Sequence, residues 1–355
     1  MQAKINLSKD QFTFDSKILF ESQNFKAEIF KYSTGIEAVK ISNDKGYATF
    51  LPYMGQMIWD MEFLGKNLVM KSIWREPDVC DVDYTPSYGC FMMHCGLTAM
   101  GNPAECDNHL PHGELPVAKY QKAFIVLGSD DKGEYIGLSG VYEKRSAYAI
   151  NYEFSPEVRL YKGESKIEIK VEIKNNKDIP LEYYYLCHIN YRPFDGAELI
   201  YTANPEKIVV HQETDNPKTK AYMQELIKNP SIMNKVDSKT QSYAPEIVFT
   251  CTYDADEQGN AYTMQLLPDG YSCYVSHRPE QLPYGIRWIS RTEDEDAMGM
   301  ILPSTAEHKG LTYCRERGQA RFVQKGEKVT FNFETGILAP EDSQKLKEKI
   351  NKIMK

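Results

Sequence analysis

No stretch of this 355-residue sequence approaches the ~20 consecutive apolar residues that a membrane-spanning helix requires, so no membrane partner is expected. A clustered surplus of basic residues is also lacking: 42 Lys and Arg stand against 50 Asp and Glu, a formal charge of −8. Outside the C-terminal tail the cations are scattered, whereas a nucleic-acid surface gathers them to displace phosphate counterions. Nucleic acid is therefore not an expected partner. The first twenty residues hold no basic segment followed by an apolar one, so a cytoplasmic location is the expectation. The eight cysteines stand in no Cys-x-x-Cys knuckle and are expected as reduced thiols. Internal repeats, low-complexity tracts and linkers are missing too, which points to one domain over residues 1–355. Nothing in the sequence fixes an oligomeric state.

What is present is a period of two. Lys166 to Lys174 alternates cleanly, with Ile167, Ile169, Val171 and Ile173 on one face of a strand. Asn175 to Asp178 supplies a turn, and Leu181 to Asn190 restarts a strand. Further strands are expected at 124–127, 135–141, 149–154, 247–253, 262–267, 272–276 and 329–335. Gln324 to Glu327 reads as the turn of a late hairpin. Short strands with turn signals between them predict an all-β, mostly antiparallel sandwich or barrel. Helix is expected in only two places: a short excursion near 218–236, interrupted by Pro230, and a C-terminal helix. The latter has Pro340 in its first turn and Leu346, Ile350 and Ile353 on one stripe.

Two segments carry the chemistry-bearing residues. Gly89 to Ala118 is dense in Gly and Pro, shows neither period, and contains His94, His109 and His112. It is expected to cross a rigid scaffold as a functional loop, a surface loop with incidental histidines being the plain alternative. In the strand Leu181 to Asn190, alternation places Tyr184, Leu186, His188 and Asn190 on one face and Tyr183, Tyr185, Cys187 and Ile189 on the other. His188 and Asn190 can then reach one cleft together. A half-exposed histidine bonded to a neighbouring strand is the bland alternative. Cys187 and His188 point to opposite faces and cannot act as a thiol–imidazole pair.

Cys95-Gly96-Leu97, Gly101-Asn102-Pro103, Pro111-His112-Gly113-Glu114 and Pro116-Val117-Ala118 together resemble the histidine-bearing loop of the aldose 1-epimerase (galactose mutarotase)-like superfamily. Leu186 to Asn190 resembles that family's second histidine motif. Leu282 to Trp288 is similar to a Trp-bearing segment of a bacterial branch of undefined function. The likeness runs in order from about Asp44 to Ile337. It implies a galactose-mutarotase-like β-supersandwich, a small-molecule sugar as ligand, and no cofactor or metal. It further implies interconversion of sugar anomers by acid/base ring opening, with His188 as acid and His112 as a second donor. Trp288 would be a platform for the sugar's C–H face, while Asn190, Arg287, Glu114 and His109 would contact hydroxyls. The family's catalytic glutamate position holds Leu302, which cannot take a proton. Glu307 is the first candidate to replace it, followed by Asp296 and Glu114.

That replacement keeps a second expectation open, a sugar-binding protein without catalysis. A third is a metal-dependent sugar enzyme using the loop residues His94, Cys95, Cys106, His109 and His112, although their spacing matches no known zinc pattern.

Overall fold

The computed structural model describes residues 2–211, 214–238, 241 and 243–355, without the side chains of residues 205 and 243. Two antiparallel sheets of nine and thirteen strands pack face to face among these residues. The alternating segment forms the strand Lys166–Asn175 at the middle of the nine-stranded sheet, between Ile150–Tyr161 and Lys328–Leu338. Its four aliphatic side chains are buried to 1% exposure or less, as a half-buried strand requires.

The strand Leu181–Ile189 lies within the larger sheet, between Met92–Leu97 and Asp296–Ser304. Its two faces divide as alternation predicts. Tyr185 points between the sheets and stacks on Phe331 of the opposite sheet, with ring centroids 5.2 Å apart and planes at 12°. Leu186 and His188 look the other way, onto the outer face of the larger sheet.

Two expectations change. The 89–118 segment is not loop throughout, because Met92–Leu97 is a strand buried at every residue. A strand covered on both sides has no polar face and therefore no period of two. The turn at Gln324 to Glu327 forms, but the strands it joins do not pair. Arg321–Val323 pairs with Leu181–Ile189, and Lys328–Leu338 belongs to the other sheet. The helical excursion forms as expected, divided into an α-helix, Pro217–Lys228, and a 3-10 turn, Pro230–Asn234, because Pro230 cannot continue the first helix. The C-terminal helix, Pro340–Ile353, begins on the expected proline and lays Leu346 and Ile350 on Tyr262, Met264 and Tyr274 of the nine-stranded sheet.

Candidate functional site

Four neighbouring strands build the floor of a cleft on the outer face of the larger sheet. Leu186 and His188 come from Leu181–Ile189, Leu302 from Asp296–Ser304, Ile286 and Trp288 from Tyr284–Arg291, and Glu246 and Val248 from Tyr243–Cys251. Each pair is two residues apart and so shares a face. Tyr84 and Tyr88 form one wall, from the ends of the short 3-10 turn Thr85–Ser87. Asn102, His112 and His308 form the other.

The cleft thus has an aliphatic floor ringed by polar groups. His188 sits 5.6 Å from His112 and 5.3 Å from Trp288, ring centroid to centroid. Trp288 donates its indole N–H to the carboxylate of Glu246. No Lys or Arg is among the described lining residues.

The hydrogen bonds fix which nitrogen of His188 faces the cleft. Asn190 donates its amide to the Cys90 carbonyl at 3.0 Å, which turns its own carbonyl toward His188. His188 Nδ1–H therefore donates to Asn190 Oδ1 at 2.7 Å. Nε2 is left as an acceptor, 3.4 Å from the Tyr88 hydroxyl that donates to it. Asn190 is fully buried behind the histidine, so it orients His188 and does not reach a ligand.

His112 is held in the left-handed region, at φ 58°, a conformation that costs a non-glycine residue about 1–3 kcal/mol and is found where structure over-determines it. Here both backbone groups of His112 are tied, N–H to the Gly101 carbonyl and C=O to the Gly96 N–H. Gly113 follows at φ 73°, where a Cβ would lie 2.4 Å from the Ala99 oxygen and 2.5 Å from the Gly96 oxygen. Only glycine fits, and its close approach seats the imidazole over the floor.

Several sequence-predicted contacts lie elsewhere. Arg287 is a correction. It alternates with Trp288 on its strand, so it faces inward, fully buried, donating to the Met300 carbonyl at 2.9 Å and lying 4.2 Å from the Tyr201 ring. Glu307 is also corrected. It is largely buried outside the cleft lining, accepting from Tyr313 at 3.1 Å and Gln319 at 2.8 Å, while its neighbour His308 faces the cleft. Glu114 accepts from Thr98 and from the Tyr152 hydroxyl at 2.8 Å, away from the lining. His109 donates to its neighbour's carbonyl at 2.8 Å, 3.7 Å from Asp107. Asp296 is held by Arg291. The loop residues raised for metal binding disperse: His94 lies between the sheets against Tyr185, Cys106 is exposed, and only His112 reaches the cleft. Among the described residues no three His, Cys, Asp or Glu side chains are arranged to hold a metal ion.

Glu246, His308, Tyr84, Tyr88 and Asn102 line the cleft and are absent from the sequence-derived contacts. For Glu246 a signal existed: it is two residues before Val248 on a strand expected to begin one residue later.

Burial pushes His94, His188, His277 and His308 down to about 3 and His112 to about 4, from an ordinary value of 6.5. Neighbouring imidazoles add to the effect at His188 and His308, and the Asn190 bond partly opposes it at His188. The folded protein keeps these rings neutral, while the unfolded chain takes up protons as pH falls through 6.5. The stability from burying them is complete above that pH and is lost progressively toward 3 to 4. The urea midpoint is expected to fall between pH 7.5 and 5.0 with little change in slope. An unchanged midpoint would contradict the burial of these rings.

No curated protein matches the sequence. Among solved structures, a candidate aldose 1-epimerase of Klebsiella pneumoniae aligns with a TM-score of 0.83 at 17% identity, covering 100% of this chain and 92% of its own. A galactose mutarotase-like protein of Clostridium acetobutylicum gives 0.62 at 10% identity, with 89% and 99% covered. A candidate aldose 1-epimerase of Escherichia coli K12 gives 0.54 at 13%, with 84% and 98% covered. The fold is the galactose-mutarotase-like β-supersandwich that the sequence motifs imply. Residues 33–337 match the family described as a domain of unknown function (DUF4432), and it is to this family that the chain belongs.

Proposed function

We propose that the cleft binds a single aldose and interconverts its anomers by proton transfer. The observation that carries this reading is the carboxylate of Glu246, held by Trp288 on the same floor as the accepting Nε2 of His188. Ring opening removes a proton from the anomeric hydroxyl and adds one to the ring oxygen; closure after rotation about C1–C2 reverses both transfers. The cycle needs one proton in this pair, and because Nε2 of His188 is the accepting lone pair, Glu246 enters carrying it. Its carboxyl protonates the ring oxygen while Nε2 takes the proton from the anomeric hydroxyl, and closure returns both protons. Glu246 thus takes the part that Leu302, on the cleft floor, cannot play.

The lining supports a neutral sugar. Leu186, Val248, Ile286 and Leu302 offer an apolar surface to C–H groups, and the polar ring around them can meet hydroxyls. The cavity is narrow, about 110 Å³, well below the ~300–1,000 Å³ of typical small-molecule sites, which suits nothing larger than a monosaccharide. The aliphatic residue at 302 also favours a second reading, in which the cleft binds a sugar without turning it over.

Saturation-transfer NMR or polarimetry with freshly dissolved aldopentoses and aldohexoses separates the two. Acceleration of anomerisation over buffer by at least one sugar is the expected result. Saturable binding with no acceleration across the panel would leave only the binding reading, and neither binding nor acceleration would end both.

A further inference from the structure

A larger cavity, about 410 Å³, lies beside the cleft and has a different character. It is reached along the same strand path. His188 faces the cleft, Asn190 follows behind it, and Arg192, four residues on, lines the neighbouring groove. The partition is aromatic: Tyr88 of the cleft wall meets Trp74 of the groove edge to face, at 6.3 Å between centroids. Gly89, next to Tyr88, lets the 72–74 segment pack against it, since a Cβ there would lie 2.7 Å from Ser72 Oγ and 3.0 Å from Trp74 Cβ.

Two features distinguish this groove. First, Trp59 and Trp74, two of the three tryptophans in the chain, line it with Tyr32. Tyr32 and Trp59 contact at 6.4 Å, giving flat apolar faces with polar edges. Second, the groove reverses the sign of the molecule. In a chain of formal charge −8, its described lining holds three cations, Lys71, Arg75 and Arg192, and one carboxylate, Asp60, which accepts from Tyr47 at 3.0 Å.

None of the three cations makes an ion pair among the described residues. Lys71 donates to the Glu293 carbonyl at 3.3 Å, and Arg192 uses only Nε, on the Val69 carbonyl at 3.0 Å. The remaining guanidinium donors are the planar, bidentate groups that bind phosphate or carboxylate oxygens. The volume lies within the range of small-molecule sites.

We infer that this groove is a second binding site, for a sugar carrying an anionic group, a sugar phosphate or a sugar acid. The ring would lie against Trp59, Trp74 and Tyr32, and its anion would meet Arg75 and Arg192. The inference does not depend on catalysis in the cleft.

The test uses Trp288→Phe protein, in which the only tryptophans are the two in the groove. Titrations of tryptophan fluorescence with glucose 6-phosphate, glucuronate, glucose and inorganic phosphate supply the comparison. A saturable change is expected with glucose 6-phosphate or glucuronate, the tighter of the two identifying the anion, and none with glucose. Adding Arg75→Gln and Arg192→Gln, both on the groove surface, should weaken that binding at least about tenfold, and raised salt should weaken it as well. Anomerisation by protein with Trp288 intact and both arginines replaced should be unchanged. Three results would overturn the assignment: no saturable change with either anionic sugar, equal affinity after both arginines are replaced, or inorganic phosphate binding as tightly as the sugar phosphate.

Discussion

Glu246→Gln is expected to lower the acceleration of anomerisation by about 10²–10⁴-fold, the usual contribution of one positioned acid/base group, while sugar affinity changes little. The amide keeps the shape of the side chain and can still accept from Trp288 Nε1, the bond that holds Glu246 on the floor. What it loses is the ability to bind and release a proton. The informative measurement is therefore rate at saturating sugar together with a binding constant by NMR titration. Equal loss in rate and affinity would mean that Glu246 only positions the sugar. Full activity in Glu246→Gln would remove it from the chemistry, and no other carboxylate among the described cleft-lining residues could take its place. Leu302→Glu supplies the complementary arm by restoring a carboxylate beside Ile286, its register partner on the floor.

His188→Ala is expected to produce a loss of similar size, and Asn190→Ala a smaller one with a different signature. Removing the imidazole deletes one of the two groups that exchange the proton. Removing Asn190 leaves the ring in place but frees its tautomer, because Nδ1–H loses its hydrogen bond to Oδ1. A fraction of the rings would then present an N–H where the accepting lone pair is required. The Asn190→Ala rate should fall by about tenfold, and Asn190→Asp should move the acid limb of the pH–rate profile upward, since a carboxylate at Nδ1 favours the imidazolium. In the double variant with His188→Ala, loss of the side chain at 190 should add almost nothing, as groups acting as a unit do. Additive losses would mean that Asn190 works through something other than His188.

The legible parts of the molecule were those where one face is buried and the other wet. The strand Lys166–Asn175 has that character throughout, and so alternation reports both its existence and its buried side. The same logic put His188 and Asn190 on one face. It fails where the chemistry of a residue outweighs its place in the period. Arg287 reads as a donor to hydroxyls because it is charged, yet Trp288 occupies the outward position and alternation sends the arginine inward, onto Tyr201. Met92–Leu97 gave no period because both its faces are covered. Glu246 lies outside the strand expected at 247–253, whereas the strand observed starts at Tyr243 and so carries Glu246 on the face of Val248. Tyr84 and Tyr88 were beyond reach for another reason: they flank a three-residue 3-10 turn, and nothing periodic in the sequence ties that turn to a histidine a hundred positions away. Gln2–Asn6 and Lys17–Glu21 have exposed residues on both faces and are defined by their neighbours more than by their own pattern.

The order of strands in the two sheets also governs how the molecule assembles. Lys166 and Glu334 meet across the centre of the nine-stranded sheet although they are 168 positions apart. In the larger sheet Leu181–Ile189 waits for Asp296–Ser304, with the whole of the smaller sheet's 261–277 region threaded between them in sequence. Contacts this distant close long loops before they are rewarded, so refolding from denaturant belongs to the slow, topology-limited class. Local hairpins such as Gly133–Ser146 with Ile150–Tyr161 can form early. The cleft cannot: its floor draws on residues from 186 to 302 and exists only once the Tyr284–Arg291 and Asp296–Ser304 pair has docked beside His188. Recovery of ligand binding should therefore trail recovery of β-structure, and partly folded chains would carry unpaired strand edges in the interval.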